Sequence, residues 1–115
     1  MKNRGVTILV IIGVIILAIM LLNLFSGRLS GEVSKQTALC ISEHSQIYVQ
    51  LGCHACETQE KMFGDNYKYL NLTDCFFEKE KCIQAEIAAT PTWIINGKTY
   101  IGVQSIEKLK ELTGC

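Results

Sequence analysis

Cys53-His54-Ala55-Cys56 lies where an apolar, β-rich run at residues 47–51 gives way to a helical pattern. This position predicts that the first sulfur lies at a helix N-terminus. Free backbone N–H groups and the positive end of the helix dipole stabilise a thiolate there, and the thiolate is the form of cysteine that attacks disulfides. The tetrapeptide therefore predicts a redox-active cysteine pair at the junction of a strand and a helix.

The segments on both sides of the pair predict an alternating series of strands and helices. Runs of β-prone residues alternate with apolar residues at helical spacing, and Asn96-Gly97 is typical of a type I′ hairpin turn. The predicted elements are strand 45–51, helix 53–63, strand 67–72, helix 78–89, strand 92–95, strand 98–102 and a final helix after Ser105. This order combines a parallel βαβ unit with an antiparallel hairpin, and it predicts an α/β fold with a mixed sheet and flanking helices.

The N-terminal segment is long and apolar enough to cross a bilayer. Residues 6–25 contain only Thr7 and Asn23 as polar side chains, and about 20 apolar residues span a hydrocarbon core of roughly 30 Å. A cleaved signal peptide is the alternative, because residues 1–4 (MKNR) resemble a basic n-region. The apolar run is longer than the usual ~7–15 residues of a signal peptide, and no A-x-A site follows it. We expect a retained anchor.

Charge and cysteine content predict on which side of the membrane the domain lies. Lys2 and Arg4 closely precede the span, which favours a cytoplasmic N-terminus. The domain would then face the extracytoplasmic side, where disulfides persist, and it contains all 6 cysteines. We expect a single-pass cell-membrane protein with a cytoplasmic N-terminus and transmembrane anchor at 1–25, a linker at 26–38 and a folded domain at 39–115.

The distribution of charge argues against nucleic-acid binding. The 11 basic and 11 acidic side chains give a formal net charge of zero. Residues 1–28 hold three of the basic side chains and none of the acidic ones, so the remainder of the chain is acidic overall. Because no basic patch forms, we expect no nucleic-acid partner.

Metal and haem sites do not fit the cysteine spacing. A zinc site would have to add Cys75 and Cys82, or one of His44 and His54, to the pair. The residues between Cys75 and Cys82 outnumber the roughly two to four that usually separate paired zinc ligands. Haem attachment needs a histidine directly after the second cysteine, where this chain has Glu57. We expect no metal and no cofactor.

The motifs together resemble a known family. A Cys-x-x-Cys between strand and helix, Thr90-Pro91 ahead of a strand and the Asn96-Gly97 hairpin resemble a minimal thioredoxin fold, βαβαββα. More narrowly, GCHACETQEKMFG, ATPTWIINGKTYIGVQSIEKLKELTGC, the later cysteine pair and the early ALC are similar to the small thioredoxin-like domains that are fused to, or accompany, homologues of vitamin K epoxide reductase (VKOR). The resemblance covers residues 38–115.

The resemblance implies an enzyme, a membrane-tethered thiol-disulfide oxidoreductase that acts on protein thiols. It would form disulfides in secreted proteins and be reoxidised by a VKOR-like membrane protein linked to quinone. Cys53 would be the sulfur that exchanges with substrate, and Cys56 would close the disulfide again on reoxidation. Pro91 would follow a cis peptide bond and, with Thr90, would shape the groove in which the substrate backbone pairs beside Cys53.

The resemblance also suggests roles for the other cysteines. Cys75 and Cys82 would form a structural staple, and a second redox pair that relays electrons to the membrane partner remains an open alternative. Cys40 and Cys115 would pair with each other as a further structural disulfide.

The residues around the Cys-x-x-Cys motif depart from the family pattern in two places. Gly52 stands where the family commonly has an aromatic residue, and the spacer lacks proline. A protonated His54 would favour the Cys53 thiolate, whereas Glu57 and Glu60, if near, would oppose it. Two other functions therefore stay open: a reductase or isomerase fed by a membrane electron carrier, and a non-catalytic, disulfide-stapled binding domain.

Overall fold

A computed structural model describes residues 2–26 and 33–115, and the chain forms two compact units divided at residues 31 and 32. The first unit contains one helix, α1 (Lys2–Ser26). Its side chains from Asn3 to Leu24 are exposed and overwhelmingly apolar, so the helix has the length and composition of a membrane span. A signal sequence near an N-terminus has the same properties.

The second unit is a four-stranded mixed sheet with flanking helices. Its elements are α2 (Lys35–His44), β1 (Ser45–Val49), α3 (His54–Phe63), a 3-10 helix (Gly64–Tyr69), β2 (Leu72–Asp74), α4 (Lys79–Gln84), β3 (Thr92–Ile95), β4 (Lys98–Ile101) and α5 (Ile106–Thr113). The strand order is β2-β1-β3-β4, with β1 parallel to β2 and antiparallel to β3. From β1 onward, the predicted βαβαββα order and the α/β fold class are confirmed.

The central strand β1 anchors the core. Ile47 pairs with Leu72 on one side and with Trp93 on the other, so β1 has a strand on each edge. Alternate residues of β1 are buried, as expected when a strand presents one face to a core. The aromatic ring of Phe63 on α3 lies 6.1 Å from that of Trp93, which joins the helix to the sheet. The pairing therefore fixes the end of β1, where the cysteine motif begins.

Two local signals in the C-terminal half act as predicted. Asn96 and Gly97 have φ values of 51° and 75°, the left-handed backbone that a type I′ turn between β3 and β4 requires. Ser105 caps α5, because its hydroxyl accepts a hydrogen bond from Lys108 N at 3.2 Å. Leu109 of α5 is fully buried.

Helix α2 overlaps the C-terminal part of the linker expected at 26–38. Helix α2 begins at Lys35 and is capped by Ser34, whose hydroxyl accepts from Thr37 N at 3.1 Å. Ala38 and Ile41 of α2 are fully buried. This apolar stripe is only two residues wide in a polar stretch, so periodicity did not reveal the helix. The part of the expected linker at residues 27–32 lies outside the described residues.

The strand expected at 67–72 is wrong in position. Residues Gly64–Tyr69 form a 3-10 helix, and strand β2 covers only Leu72–Asp74. The ring of Tyr67 packs 6.5 Å from that of Phe63, so this β-prone residue covers the end of α3 instead of entering the sheet. Tertiary packing has overridden strand propensity here.

The helix expected at 78–89 is also shorter. Helix α4 ends at Gln84, and Glu86 adopts a φ of 54°, a left-handed conformation that ends the helix. The residues after it run as an irregular segment to Pro91 and β3. This segment brings Thr90 and Pro91 to the end of the sheet at which β1 leads into the cysteine motif.

Candidate active site

Cys53 is the N-cap residue of α3. Its backbone is extended, and its Sγ accepts a hydrogen bond from Cys56 N at 3.1 Å. Gly52, with a φ of 83°, lets the chain turn from β1 into the helix, and Cys53 N donates to Gln50 O at 3.1 Å. The first sulfur of the motif therefore lies at the helix N-terminus, where the free N–H groups and the helix dipole favour negative charge.

Cys53 and Cys56 are joined by a disulfide, with their Cα atoms 5.2 Å apart. Cys53 is partly exposed, whereas Cys56, one turn into α3, is only 6% exposed. An attacking thiolate can therefore reach the sulfur of Cys53 more readily than that of Cys56. The two sulfurs therefore differ in how accessible they are to a thiol from another molecule.

The Thr90-Pro91 segment lies beside the reactive sulfur. Cys53 Sγ is 3.5 Å from Thr90 O, and the Thr90–Pro91 peptide bond is cis. Pro91 O accepts from Gly102 N at 2.8 Å, so the end of β4 holds the segment in place. The structure therefore brings together Cys53, Cys56, Thr90 and Pro91, four of the residues that the sequence singled out.

His54 lies on the outer surface of the helix N-terminus. Its side chain is 98% exposed, and Nδ1 lies 3.8 Å from Glu57 Oε2. An exposed pair of this kind contributes little to stability, because water screens both charges. The imidazole and the carboxylate thus lie together in the first turn of α3.

An acidic cleft of about 240 Å³ adjoins the disulfide. Its walls include Cys53, Cys56, Glu57, Glu60, Tyr67 and Asp74. Burial, together with the charges of Glu60 and Asp74, raises the pKa of Tyr67 to about 12. Three carboxylates, those of Glu57, Glu60 and Asp74, therefore line the cleft beside the disulfide.

The second disulfide borders a separate cleft on the Thr90 side. Cys75 and Cys82 are bonded, with Cα atoms 5.7 Å apart, and they close the loop that leads into α4. A cleft of about 150 Å³ is lined by both cysteines, Gln50 and Thr90. Gln50 also lines the acidic cleft. Gln50, in the loop that precedes Cys53, therefore borders both the acidic cleft and the cleft beside Cys75–Cys82.

The third disulfide joins α2 to Cys115, two residues after the end of α5. Cys40 and Cys115 are bonded, with Cα atoms 6.0 Å apart. Ligand atoms of Cys40, Cys115 and His44 lie within 4.8 Å of one another, and His44 Nδ1 lies 2.9 Å from Cys40 O. These are the described residues that could approach a metal, but the two sulfurs are bonded to each other and offer no thiolate to it.

Gln59 is a buried polar residue of α3 whose role the sequence analysis did not identify. Its side chain is fully buried, and its Oε1 accepts hydrogen bonds from Trp93 Nε1 at 3.1 Å and from Gln104 N at 2.8 Å. Its Nε2 donates to Gln104 O at 3.0 Å. The available signal was a long polar side chain on the same helix face as Cys56 and Phe63, which indicates a buried polar contact but not its partner.

Comparison with known proteins agrees with this geometry. No family model matches the chain. Thiol-disulfide oxidoreductase LTO1 of Arabidopsis thaliana is 33% identical over 95 residues, which cover 70% of this chain and 25% of the plant protein. This chain is similar to a thiol-disulfide oxidoreductase. It spans about a quarter of the length of that relative.

Among solved structures, the chain matches the solution structure of oxidised thioredoxin from Plasmodium falciparum. The two are 19% identical, the TM-score is 0.41, and the match covers 73% of this chain and 92% of the thioredoxin.

Proposed function

We propose that this chain is a membrane-anchored thiol-disulfide oxidoreductase with Cys53 and Cys56 as its catalytic pair. The observation that carries the proposal is the position of Cys53 Sγ, which is at the N-cap of α3, accepts from Cys56 N at 3.1 Å and is partly exposed. Similarity to a plant thiol-disulfide oxidoreductase supports the same chemistry. A plain structural disulfide would not need one exposed sulfur at a helix N-terminus.

The proposed reaction transfers the disulfide to a protein dithiol. A substrate thiolate attacks Cys53 Sγ, the Cys53–Cys56 bond breaks, and Cys56 leaves as a thiolate. A second substrate thiolate attacks the substrate sulfur of the mixed disulfide, and Cys53 leaves as a thiolate. The substrate loses two electrons and two protons, and the cysteine pair is reduced to a dithiol.

The residues around the pair have distinct roles in this scheme. The helix N-terminus stabilises the Cys53 thiolate as it leaves, because Cys56 N–H already points at the sulfur. Thr90 and Pro91 provide the surface that holds the substrate beside Cys53, since Thr90 O lies 3.5 Å from Sγ. A protonated His54 would favour the Cys53 thiolate, and the carboxylate of Glu57, 3.8 Å from Nδ1, would partly offset that effect.

The resemblance of the motifs to VKOR-associated domains supports the remaining parts of the proposal. α1 would hold the domain on the extracytoplasmic side of the cell membrane, where the substrates are secreted proteins with free thiols. A VKOR-like membrane protein would accept the two electrons of reduced Cys53 and Cys56 through its own disulfide and restore the oxidised pair. Cys75–Cys82 and Cys40–Cys115 would act as structural disulfides.

The test uses the full chain in detergent and a peptide with two thiols. The wild-type chain should oxidise the peptide stoichiometrically, and Cys53→Ser should abolish the reaction without unfolding the domain. Activity that survives in Cys53→Ser would show that the pair is not catalytic.

The equilibrium potential of the pair, measured against glutathione, distinguishes the direction of transfer. A value near about −120 mV supports disulfide formation, and a value near about −270 mV supports the alternative reductase.

A further inference from the structure

We infer that Gln59 is a positioning residue, which fixes the catalytic helix α3 against the Thr90-Pro91 segment. The inference rests on the proposed function of Cys53 and Cys56. Gln59 lies one helical turn after Cys56 and is fully buried. Burying an amide is unfavourable unless its donors and acceptor are paired, so its partners reveal what the side chain holds.

The amide of Gln59 is paired with two separate parts of the domain. Its Oε1 accepts from Trp93 Nε1 on β3 at 3.1 Å and from Gln104 N at 2.8 Å. Its Nε2 donates to Gln104 O at 3.0 Å and lies 3.6 Å from Met62 Sδ. A single side chain of α3 is therefore bonded both to a strand of the sheet and to the backbone ahead of α5.

Both partners adjoin the proposed substrate segment. Trp93 follows Pro91 by two positions and lies in the first half of β3, the strand that continues directly from Pro91. Gln104 follows Gly102 by two positions, and Gly102 N donates to Pro91 O at 2.8 Å. Gln59 thus connects α3 to the two chain segments that fix Pro91.

This connection controls a distance in the catalytic site. Cys53 Sγ lies 3.5 Å from Thr90 O, and the two atoms belong to the parts of the chain that Gln59 joins. If the amide bonds are lost, α3 can slide or rotate relative to β3 while its apolar contacts remain. A substrate held by Thr90 and Pro91 would then meet the sulfur in a poorer geometry, and thiol exchange is sensitive to such misplacement.

A purely structural role makes a different prediction. If Gln59 only fills the core, its loss should lower stability but leave the exchange rate of the folded protein unchanged. A positioning role also lowers the rate of the folded protein. Leu109 on α5 is a suitable control because it is equally buried and its helix packs against α2.

The experiment compares Gln59→Leu with Leu109→Ala in the full chain in detergent. For each variant, the second-order rate constant for attack of a thiol peptide on oxidised Cys53–Cys56 is measured well below its own thermal midpoint. We expect Gln59→Leu to lower the rate constant about 10- to 100-fold, and Leu109→Ala to lower the midpoint with a change in rate of less than about twofold. Equal rates in the two variants would overturn the inference.

Two milder variants keep the test decisive if Gln59→Leu does not fold. Trp93→Phe removes one donor to Gln59 Oε1 and keeps an aromatic ring, so it should lower the rate by a smaller factor. Gln59→Glu keeps the acceptor oxygen, and its carboxyl group, when protonated, can donate to Gln104 O in place of Nε2. Below neutral pH it should therefore retain more of the rate than Gln59→Leu or, failing that, than Gln59→Ala. A wild-type rate in Trp93→Phe together with equal rates in the two Gln59 variants would contradict the positioning role.

Failure of the proposed function gives a different pattern. In that case the wild-type chain itself does not exchange with the peptide, or Cys53→Ser exchanges as fast as wild type. Failure of the Gln59 inference leaves the wild-type chain active and dependent on Cys53.

Discussion

The sulfur of Cys53 lies 3.5 Å from the carbonyl oxygen of Thr90, a residue 37 positions later in the chain. The antiparallel pairing of β1 with β3, in which Tyr48 is opposite Thr92, places the end of β1 beside the start of β3. Cys53 follows the first and Thr90 precedes the second, so both lie at the same end of the sheet. The residue that would exchange with substrate and the backbone that would hold it are therefore positioned by one strand pair.

Replacement of Cys56 should trap the partners of the protein. In Cys56→Ser, the Cys53 sulfur has no internal partner, so a mixed disulfide with a substrate or with the reoxidising protein persists. After acid quenching and blocking of free thiols, we expect covalent adducts on non-reducing gels, which mass spectrometry would identify. Cys53→Ser is the matched control and should form none, and equal adducts in the two variants would contradict the assigned order of the sulfurs.

Removal of the two outer disulfides should affect stability unequally. Cys40–Cys115 spans 75 positions and Cys75–Cys82 spans 7, and chain-entropy estimates give roughly 4.5 and 2.4 kcal/mol, respectively. Denaturant unfolding of the double serine variants should show the larger loss for Cys40 and Cys115.

Both double variants should retain oxidation of a small dithiol peptide at temperatures where they are folded. If the variant lacking Cys75 and Cys82 is folded but no longer reoxidised by membranes, Cys75–Cys82 is a relay pair and not a staple.

Tyr67 should make stability fall at high pH. Its pKa is raised to about 12 in the folded protein from 10.0, first by burial and then by the charges of Glu60 and Asp74. The unfolded chain therefore loses this proton at lower pH than the folded chain, and stability is lost as the pH rises from about 10 to about 12. Below pH 10, the contribution of Tyr67 to the free energy of unfolding is fully present.

The pH dependence is measured as the difference in unfolding free energy between wild type and Tyr67→Phe across that window, which cancels the other titrating groups. Tyrosinate absorbance should place the Tyr67 transition near pH 12, and Glu60→Gln should move it lower. A difference that does not change between pH 9 and pH 12 would contradict the raised pKa.

Labelling of intact cells tests the membrane topology. In Cys56→Ser, after mild reduction, a membrane-impermeant maleimide added from outside should react with Cys53. The matched control is Asn3→Cys in a chain that lacks Cys53 and Cys56, which should react only after lysis, because the N-terminus is expected in the cytoplasm. The reverse pattern would overturn the topology, and removal of the N-terminal segment from the mature protein would show a signal peptide.

Local sequence signals predicted the elements that depend on neighbouring residues. The Cys53 N-cap, the Asn96-Gly97 turn and the Ser105 cap all appear as predicted, because each is stabilised by hydrogen bonds or backbone conformations within a few residues. The same local character explains why the α/β class and the order of elements from β1 onward could be read from the sequence.

Elements that depend on distant partners were predicted less well. Part of helix α2 was expected to be linker. Its two fully buried residues can be recognised as core residues only once α2 is packed against α5 and the 3-10 helix. Tyr67 has the propensity of a strand residue, but its ring packs against that of Phe63 and the residue lies in a 3-10 helix. The position of β2 follows from its register with Ile47, which no local pattern encodes.

The sequence by itself determined the chemistry that is available: a cysteine pair at a helix start, a Thr-Pro segment before a strand, and an apolar N-terminal helix. The tertiary structure decided which of these groups meet, how exposed each sulfur is, and that Gln59 joins α3 to the segments around Pro91. The physical reason is that the hydrogen bonds and backbone conformations of caps and turns involve residues only a few positions apart. The buried amide and the acidic cleft exist only after strands far apart in sequence have paired.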